Sequence, residues 1–375
     1  MKPNTGAPPR AAEKSIPWWE PVMGPEEKEL VLKVLESNYL NDGEVTLQFE
    51  QRLAKLCGVD YVVAVANGTS GIFLALVACG VKPGDEVIVP DVTFVATANA
   101  VFLAGAVPVL VDVRLNDFTM DPDRVKEVIT PKTRAIVPVH VNGRAAEMEA
   151  LLSIAKQHGL AVVEDAAETL GARWRGKSLG TIGSAGVLSF ASSKLITTGQ
   201  GGAVLTNDEK IRNRVREMKD QGRLNRGTGG ADQHPVIGYN FKLTNLQSAV
   251  GLAQIEKLPA RLEHLKKLHR WYSEGLENVQ WIRLVPFDIE AGAQPQWIDS
   301  MTPERDGLAD FLAKRKIQTR KFWFPIHTLP PYRTDAKRFP NAVEICRNGL
   351  WLPSAITLTR QDVSAICAAV KEFVS

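Results

Sequence analysis

Cysteine is scarce in this sequence. The 375 residues include four, Cys57, Cys79, Cys346 and Cys367, lying far apart in apolar, helix-like surroundings. That spacing offers neither a disulfide framework nor a zinc site, and it fits a reducing cytoplasm. An excess of charge is missing as well: 45 Lys and Arg against 42 Asp and Glu leave +3, without long basic runs. A nucleic-acid surface is therefore not expected. The one uncharged stretch of membrane-spanning length, residues 92–111, carries Thr93, Thr97, Asn99, Gly105 and Pro108. It divides into helix, turn and strand, so a membrane helix is not expected. Residues 1–14 are polar and proline-bearing and lack the apolar core of a secretion signal. Internal repeats and low-complexity segments are also lacking.

What is present is a globular composition, 45% hydrophobic and 23% charged, long enough for two domains of unequal size. From residue 60 onward, short β-branched runs alternate with helix-length segments: Tyr61 to Ala66, Glu86 to Pro90, Pro108 to Val113, Arg134 to Val139 and Leu160 to Asp165. Strands apolar on both faces, joined by helical crossovers, predict an α/β fold with a mostly parallel, doubly wound sheet. Asp121-Pro122-Asp123 is a helix start. After Asn207 the pattern turns to long helices, Thr244 to Glu256 and Leu262 to Glu277, separated by Pro259. The expected organisation is a large α/β domain, 1–255, with an N-terminal arm. A smaller α+β domain, 256–375, follows, with a strand over Val279 to Val285 and helices near Glu304 to Lys314 and Gln361 to Val374.

In such sheets ligands sit at the carboxyl ends of the strands. After the first strand, Asn67-Gly68-Thr69-Ser70-Gly71 opens an apolar helix, so free amides and two hydroxyls meet at a helix N-terminus. That can cradle a phosphate, and it is also what an ordinary turn and N-cap require. Glu164-Asp165 puts two carboxylates at the same edge; a buried acid there needs a cationic partner, although an Asp capping the next turn reads the same way. Lys194 follows Gly186-Val-Leu-Ser-Phe-Ala-Ser-Ser193 and precedes Gly199-Gln-Gly-Gly202. A lysine buried there would be nucleophilic, whereas most lysines are solvated.

Cradle, acid and amine, in that order, are the parts that hold pyridoxal 5′-phosphate. With Asn67-Gly68-Thr69, Pro90-Asp-Val-Thr-Phe94, Pro138-Val-His140, Glu164-Asp-Ala-Ala-Glu168, Ser189-Phe190 with Lys194, Gly201-Gly202, Gly238-Tyr-Asn240 and Pro325-Ile-His327, the chain resembles the DegT/DnrJ/EryC1/StrS family of sugar aminotransferases, from about Ile16 onward. The resemblance implies a fold-type I pyridoxal-phosphate enzyme. Lys194 then forms the internal aldimine and moves protons, and Asp165 pairs with the pyridinium nitrogen. Phe94 stacks on the ring, and Glu168 sits near the ring hydroxyl. Gly68, Thr69, Ser70 and Ser189 hold the phosphate, and Asn240 reaches it from the neighbouring subunit of a homodimer with shared active sites. His140, Arg320 and His327 are substrate candidates. No metal is implied.

Within the family, Gly238-Tyr-Asn-Phe with Thr244-Asn245, Gly251-Leu-Ala-Gln254 and Pro330-Pro-Tyr332 look most like GDP-perosamine synthases. That implies glutamate as donor and a nucleotide-linked 4-keto-6-deoxy sugar as acceptor. Asn142-Gly143-Arg144, Gln200, Lys242 and Tyr39-Leu-Asn-Asp-Gly43 depart from the usual pattern and bear on substrate identity. A sugar 3-dehydratase, which has histidine for the lysine, is opposed by Lys194. A silent scaffold is opposed by the retained lysine, acid and loop, and no Gly-x-Gly-x-x-Gly supports a nicotinamide domain.

Overall fold

The computed structural model describes residues 15–223 and 233–373; the polar N-terminal stretch 1–14 lies outside them. The strands of the large sheet are β1 (Tyr61–Val65), β2 (Glu86–Pro90), β3 (Val107–Val111), β4 (Thr133–Ile136) and β5 (Ala161–Asp165). A short hairpin, β6 (Arg173–Trp174) and β7 (Lys177–Ser178), precedes β8 (Ala185–Ser189) and β9 (Gly202–Thr206). The order is β1-β9-β8-β5-β4-β2-β3. All pairings among β3, β2, β4, β5 and β8 are parallel, while β9 runs antiparallel to both β8 and β1. β9 is thus the one reversed strand of this sheet, and the carboxyl ends of the other six share an edge.

Burial follows from strand alternation. Val63, Val87, Val163 and Val187 point into one core, while Val62, Ala64, Leu188 and Ile88, Ile136, Val162 point to cores on the opposite face, as helices on both sides of a sheet require. The helix Gly68–Ala78 is apolar nearly all round and buried, so it lies against the sheet rather than on the surface.

A four-stranded antiparallel sheet completes the α/β architecture: β10 (Arg283–Leu284), β11 (Ile298–Met301), β12 (Arg320–Lys321) and β13 (Gly349–Leu352), ordered β10-β11-β13-β12. The strand expected over Val279 to Val285 shrinks to Arg283–Leu284. Those two residues form the ladder with β11, Val285 adds one amide to Asp299 O at 2.9 Å, and Trp281 packs on Phe373 at 5.4 Å. Pro259 opens the helix Leu258–Leu276 instead of preceding it, the place where a missing amide costs nothing. Among the described residues no helix is long and apolar enough to cross a membrane.

Candidate active site

A cavity of about 270 Å³ opens at the shared carboxyl edge of the large sheet. Its floor begins with the turn after β1. Asn67 caps the helix Gly68–Ala78: its Oδ1 accepts from the Ser70 amide at 2.8 Å, and its carbonyl accepts from Gly71 N at 3.1 Å. The amides of Gly68 and Thr69, which no helical carbonyl can reach, belong to residues that line the cavity. A side chain on Gly68 would be tight, since a Cβ would stand 3.2 Å from that of Ser189. The result is a narrow anion cradle with the Ser189 hydroxyl beside it, the shape and polarity a phosphate ester needs. Ser70 departs from the expectation. It is buried, and its hydroxyl donates to Asn67 O at 2.9 Å, so it serves the cap and does not line the cavity.

Asp165, at the end of β5, is buried and aimed into the cavity. Thr97 donates to its Oδ2 at 2.7 Å and the Ala167 amide to its Oδ1 at 3.1 Å. Thr93 lies 3.0 Å from Thr97 and extends the chain of hydroxyls. The acid is fixed by neutral donors, with capacity left for a cationic N–H. Glu164 shares the edge but points to the opposite face, as neighbouring strand residues must. Its carboxylate accepts the amides of Gly180, Ile182 and Gly183 and lies 2.8 Å from His140 Nε2. The Ala146 amide donates to His140 Nδ1 at 3.0 Å, so the imidazole proton is on Nε2 and both nitrogens are engaged. His140 meets the cavity as a wall.

Lys194 stands on the connection from β8 to β9, its Nζ 3.1 Å from Glu168 Oε1 and 5.2 Å from the centre of the Trp297 ring. Burial pushes the Glu168 carboxyl up, and Lys194 holds it back. The Asn142 amide donates to Glu168 Oε2 at 3.3 Å. Phe94 lies on the rim with 51% of its surface exposed, an open aromatic face. Arg320 lines the mouth with its guanidinium over the rings of Trp18 and Trp351, at 4.9 and 5.5 Å.

The unusual Asn142-Gly143-Arg144 segment is a buried tie between the two sheets. Asn142 Nδ2 donates to Asp299 Oδ1 at 2.5 Å, and Arg144 is paired with Asp299 Oδ2. Gly143, at φ 95°, is irreplaceable, because a Cβ would fall 1.9 Å from Gln294 O. Lys242 pairs with Asp220, and Gln200 contributes to the cavity lining. Besides Ser70, two more expected residues are not brought into the cavity. His327 is buried beside Asp91, with Nδ1 2.6 Å from Oδ2, and is stacked on Phe339. Asn240 is exposed and outside the lining of its own chain's cavity. Trp297, Trp323 and Thr97 were not singled out by the sequence reading; the only available hint was a tryptophan count of eight.

Pyridoxal phosphate fits these residues. The cradle offers the helix-start amides of Gly68 and Thr69, the acid has two fixed oxygens with spare capacity, and the amine lines the same cavity.

Comparison with known proteins agrees with this geometry. The model of the DegT/DnrJ/EryC1/StrS aminotransferase family matches residues 21–371. A GDP-perosamine synthase of Caulobacter vibrioides is 36% identical over 354 residues, covering 92% of this chain and 95% of that one. One of Escherichia coli O157:H7 is 35% identical over 367 residues, 96% and 99% of the two chains. Among solved structures, DesV of S. venezuelae superposes with a TM-score of 0.87 at 33% identity over 93% of this chain and 95% of the other.

Proposed function

The chain belongs to the DegT/DnrJ/EryC1/StrS aminotransferase family and is a pyridoxal-phosphate-dependent sugar aminotransferase; from that premise we propose that glutamate is its donor and a nucleotide-linked 4-keto-6-deoxy sugar, of the kind a GDP-perosamine synthase uses, its acceptor. The observation that carries the reading is the convergence of the Asn67 turn, Asp165 and Lys194 on one cavity.

When bound, the cofactor supplies an aldehyde that carries the amino group and a ring that withdraws electrons from the reacting carbon. The chain does the rest. Gly68 and Thr69 amides and the Ser189 hydroxyl hold the phosphate. Asp165, fixed by Thr97 and Ala167, keeps a proton on the pyridine nitrogen. Phe94 would offer the ring an aromatic face, and Glu168 would stand by its hydroxyl. Lys194 Nζ would supply the amine that bonds the aldehyde with loss of water and would hold and move protons there, with Glu168 Oε1, 3.1 Å away, able to accept or return one. The described residues up to 255 form the cofactor domain, and those from 256 onward bring Trp297, Arg320 and Trp323 over the substrate side. Asn240, exposed on its own chain, completes the phosphate site of a second copy, which makes the working unit a dimer.

Purified protein given glutamate and GDP-, dTDP- or UDP-linked 4-keto-6-deoxy sugars should convert one of them to the amino sugar, with one 2-oxoglutarate released per product, both read by mass spectrometry. Release of 2-oxoglutarate with no amination of any of the three would overturn the acceptor class. Borohydride reduction of the holoenzyme should fix the cofactor on Lys194.

A further inference from the structure

Lys194 has a flexible four-carbon stem, so the position of Nζ depends on how firmly the turn beneath it is held. Within that turn Thr198 N and Thr197 Oγ1 donate to Phe190 O at 3.0 Å, and Lys194 N donates to Ala191 O at 3.0 Å. Two carbonyls on either side of the lysine accept from outside the turn. Ser192 O takes the indole N–H of Trp19 at 3.1 Å, and Leu195 O takes an N–H from Arg261 Nη1 at 2.9 Å.

Arg261 is 7% exposed. Its other donors go to Gln254 Oε1, at 2.5 Å, and Val22 O, at 3.0 Å. Gln254, fully buried, donates in turn to Val22 O at 2.9 Å and to Glu27 Oε1 at 2.6 Å, and Lys257 closes on both Glu27 oxygens at 2.8 and 2.6 Å. The residue that ends Gly251-Leu-Ala-Gln254, a run the cofactor chemistry leaves unexplained, is therefore the centre of a hub. The hub joins Val22 and the helix Pro25–Glu36, the helices Asn245–Glu256 and Leu258–Leu276, and the lysine turn. Burying a guanidinium on neutral carbonyls is a costly way to hold a fold together, since apolar packing of the same volume stabilises as well or better. What it gives that apolar packing does not is direction, because three fixed acceptors define where the turn lies.

We propose that Arg261 and Trp19 are positioning residues for amino transfer: gripping Leu195 O and Ser192 O from two sides, they hold the lysine turn to the N-terminal segment so that Lys194 Nζ returns to one place in each half-reaction. The proposal rests on Lys194 being the residue that bonds the cofactor. A base displaced by ~1 Å can cost on the order of 10²-fold in rate.

The test compares wild type with Arg261→Met, which keeps the stem and loses the donors, and Trp19→Phe, which keeps an aromatic ring and loses one N–H. In the holoenzymes the glutamate half-reaction should slow, about 10- to 100-fold in Arg261→Met and less in Trp19→Phe, with KM for glutamate unchanged. The pH midpoint of the bound cofactor's absorbance should move in both. In the cofactor-free chains the rate at which an amine-acylating reagent marks Lys194, followed by peptide mass spectrometry, should change in the same order. Variants that melt earlier yet keep wild-type midpoint, labelling rate and half-reaction would reduce the hub to a structural brace and overturn the proposal. If Arg261→Met fails to fold, the same three readouts on Trp19→Phe decide alone. A borohydride label on a lysine other than Lys194 in wild type would instead sink the underlying site assignment.

Discussion

Removing the Arg144 guanidinium should produce an instability that grows with pH. Asp299 is fully buried on β11 and accepts from Arg144, from Asn142 Nδ2 at 2.5 Å and from Trp351 Nε1 at 2.7 Å. Arg144 spends its remaining donors on Pro286 O and Val285 O, at 2.9 and 3.0 Å, and lies 3.5 Å above the Phe287 ring. Burial pushes the Asp299 carboxyl up, and the guanidinium holds it back. Arg144→Met leaves a buried carboxylate without its cation, which costs about 3–5 kcal/mol while the charge persists. The group can escape that cost by binding a proton. Its folded-state pKa, already above the ordinary 3.8 with the guanidinium in place, rises further without it, so the folded variant binds more protons than the unfolded chain and its stability falls as pH rises. The slope is about 1.4 kcal/mol per pH unit until the folded pKa is passed. The gap to wild type should therefore be about 1–2 kcal/mol at low pH, where only hydrogen bonds are lost. It should widen to about 3–5 kcal/mol once the carboxyl is ionised. Urea unfolding midpoints measured from mildly acidic to mildly alkaline buffer give the gap directly. Arg144→Met/Asp299→Asn, which removes the charge, should flatten the pH dependence and recover much of the loss. A gap constant with pH, or a double variant no more stable than the single one, would refute the reasoning.

Asp165→Asn keeps the shape and one oxygen to accept the Ala167 amide but loses the charge and the oxygen that accepts from Thr97; it should still bind cofactor while the glutamate half-reaction falls on the order of 10³-fold, and near-normal rates would remove Asp165 from its role. Lys194→Ala and Asn240→Asp, each inactive alone, should regain activity on subunit mixing, with about half the dimers mixed and about a quarter of all sites whole; tag-purified mixed dimers that stay inactive would return Asn240 to its own chain. Glu27, held at about 2 chiefly by Lys257 and Gln254 against the opposing effect of burial, contributes roughly 3 kcal/mol relative to the ordinary value. Because its folded pKa is depressed, that contribution is complete above the ordinary value of 4.5 and drains away as pH falls toward 2. The stability difference between wild type and Glu27→Gln should shrink over that window, and a difference that stays level in acid would contradict the pairing.

The sheet was legible wherever chemistry is local. Tyr61–Val65, Glu86–Pro90 and Ala161–Asp165 are β-branched runs bounded by turn residues, and such runs carry their strand character in the sequence itself. The reversal of β9 was not legible, since direction depends on the neighbour, and Gly202–Thr206 reads alike either way. The same division holds in the site. Asp165 and Lys194 lie at recognisable strand ends, but the hydroxyl that fixes Asp165 comes from Thr97, 68 positions away. The donor to Leu195 O comes from Arg261, 66 positions away. Ser70 misled because hydroxyls that cap a helix and hydroxyls that bind a phosphate occupy the same turn, and only the partner of Oγ distinguishes them. His327 resembled a substrate group for a related reason: a buried imidazole looks the same in sequence whether it faces a cavity or, as here, Asp91.

The indoles that wall the cavity have an optical consequence. Four of the eight tryptophans, Trp18, Trp297, Trp323 and Trp351, form one cluster with ring centres 4.9 to 5.9 Å apart, and Trp297 and Trp323 face the cavity. A cofactor seated in this cavity lies beside Trp297 and Trp323 and absorbs close to the band in which indole emits, so its arrival should change the emission of the cluster. The wall thus doubles as an internal lamp, and one excitation wavelength can report occupancy of the cavity without an added label.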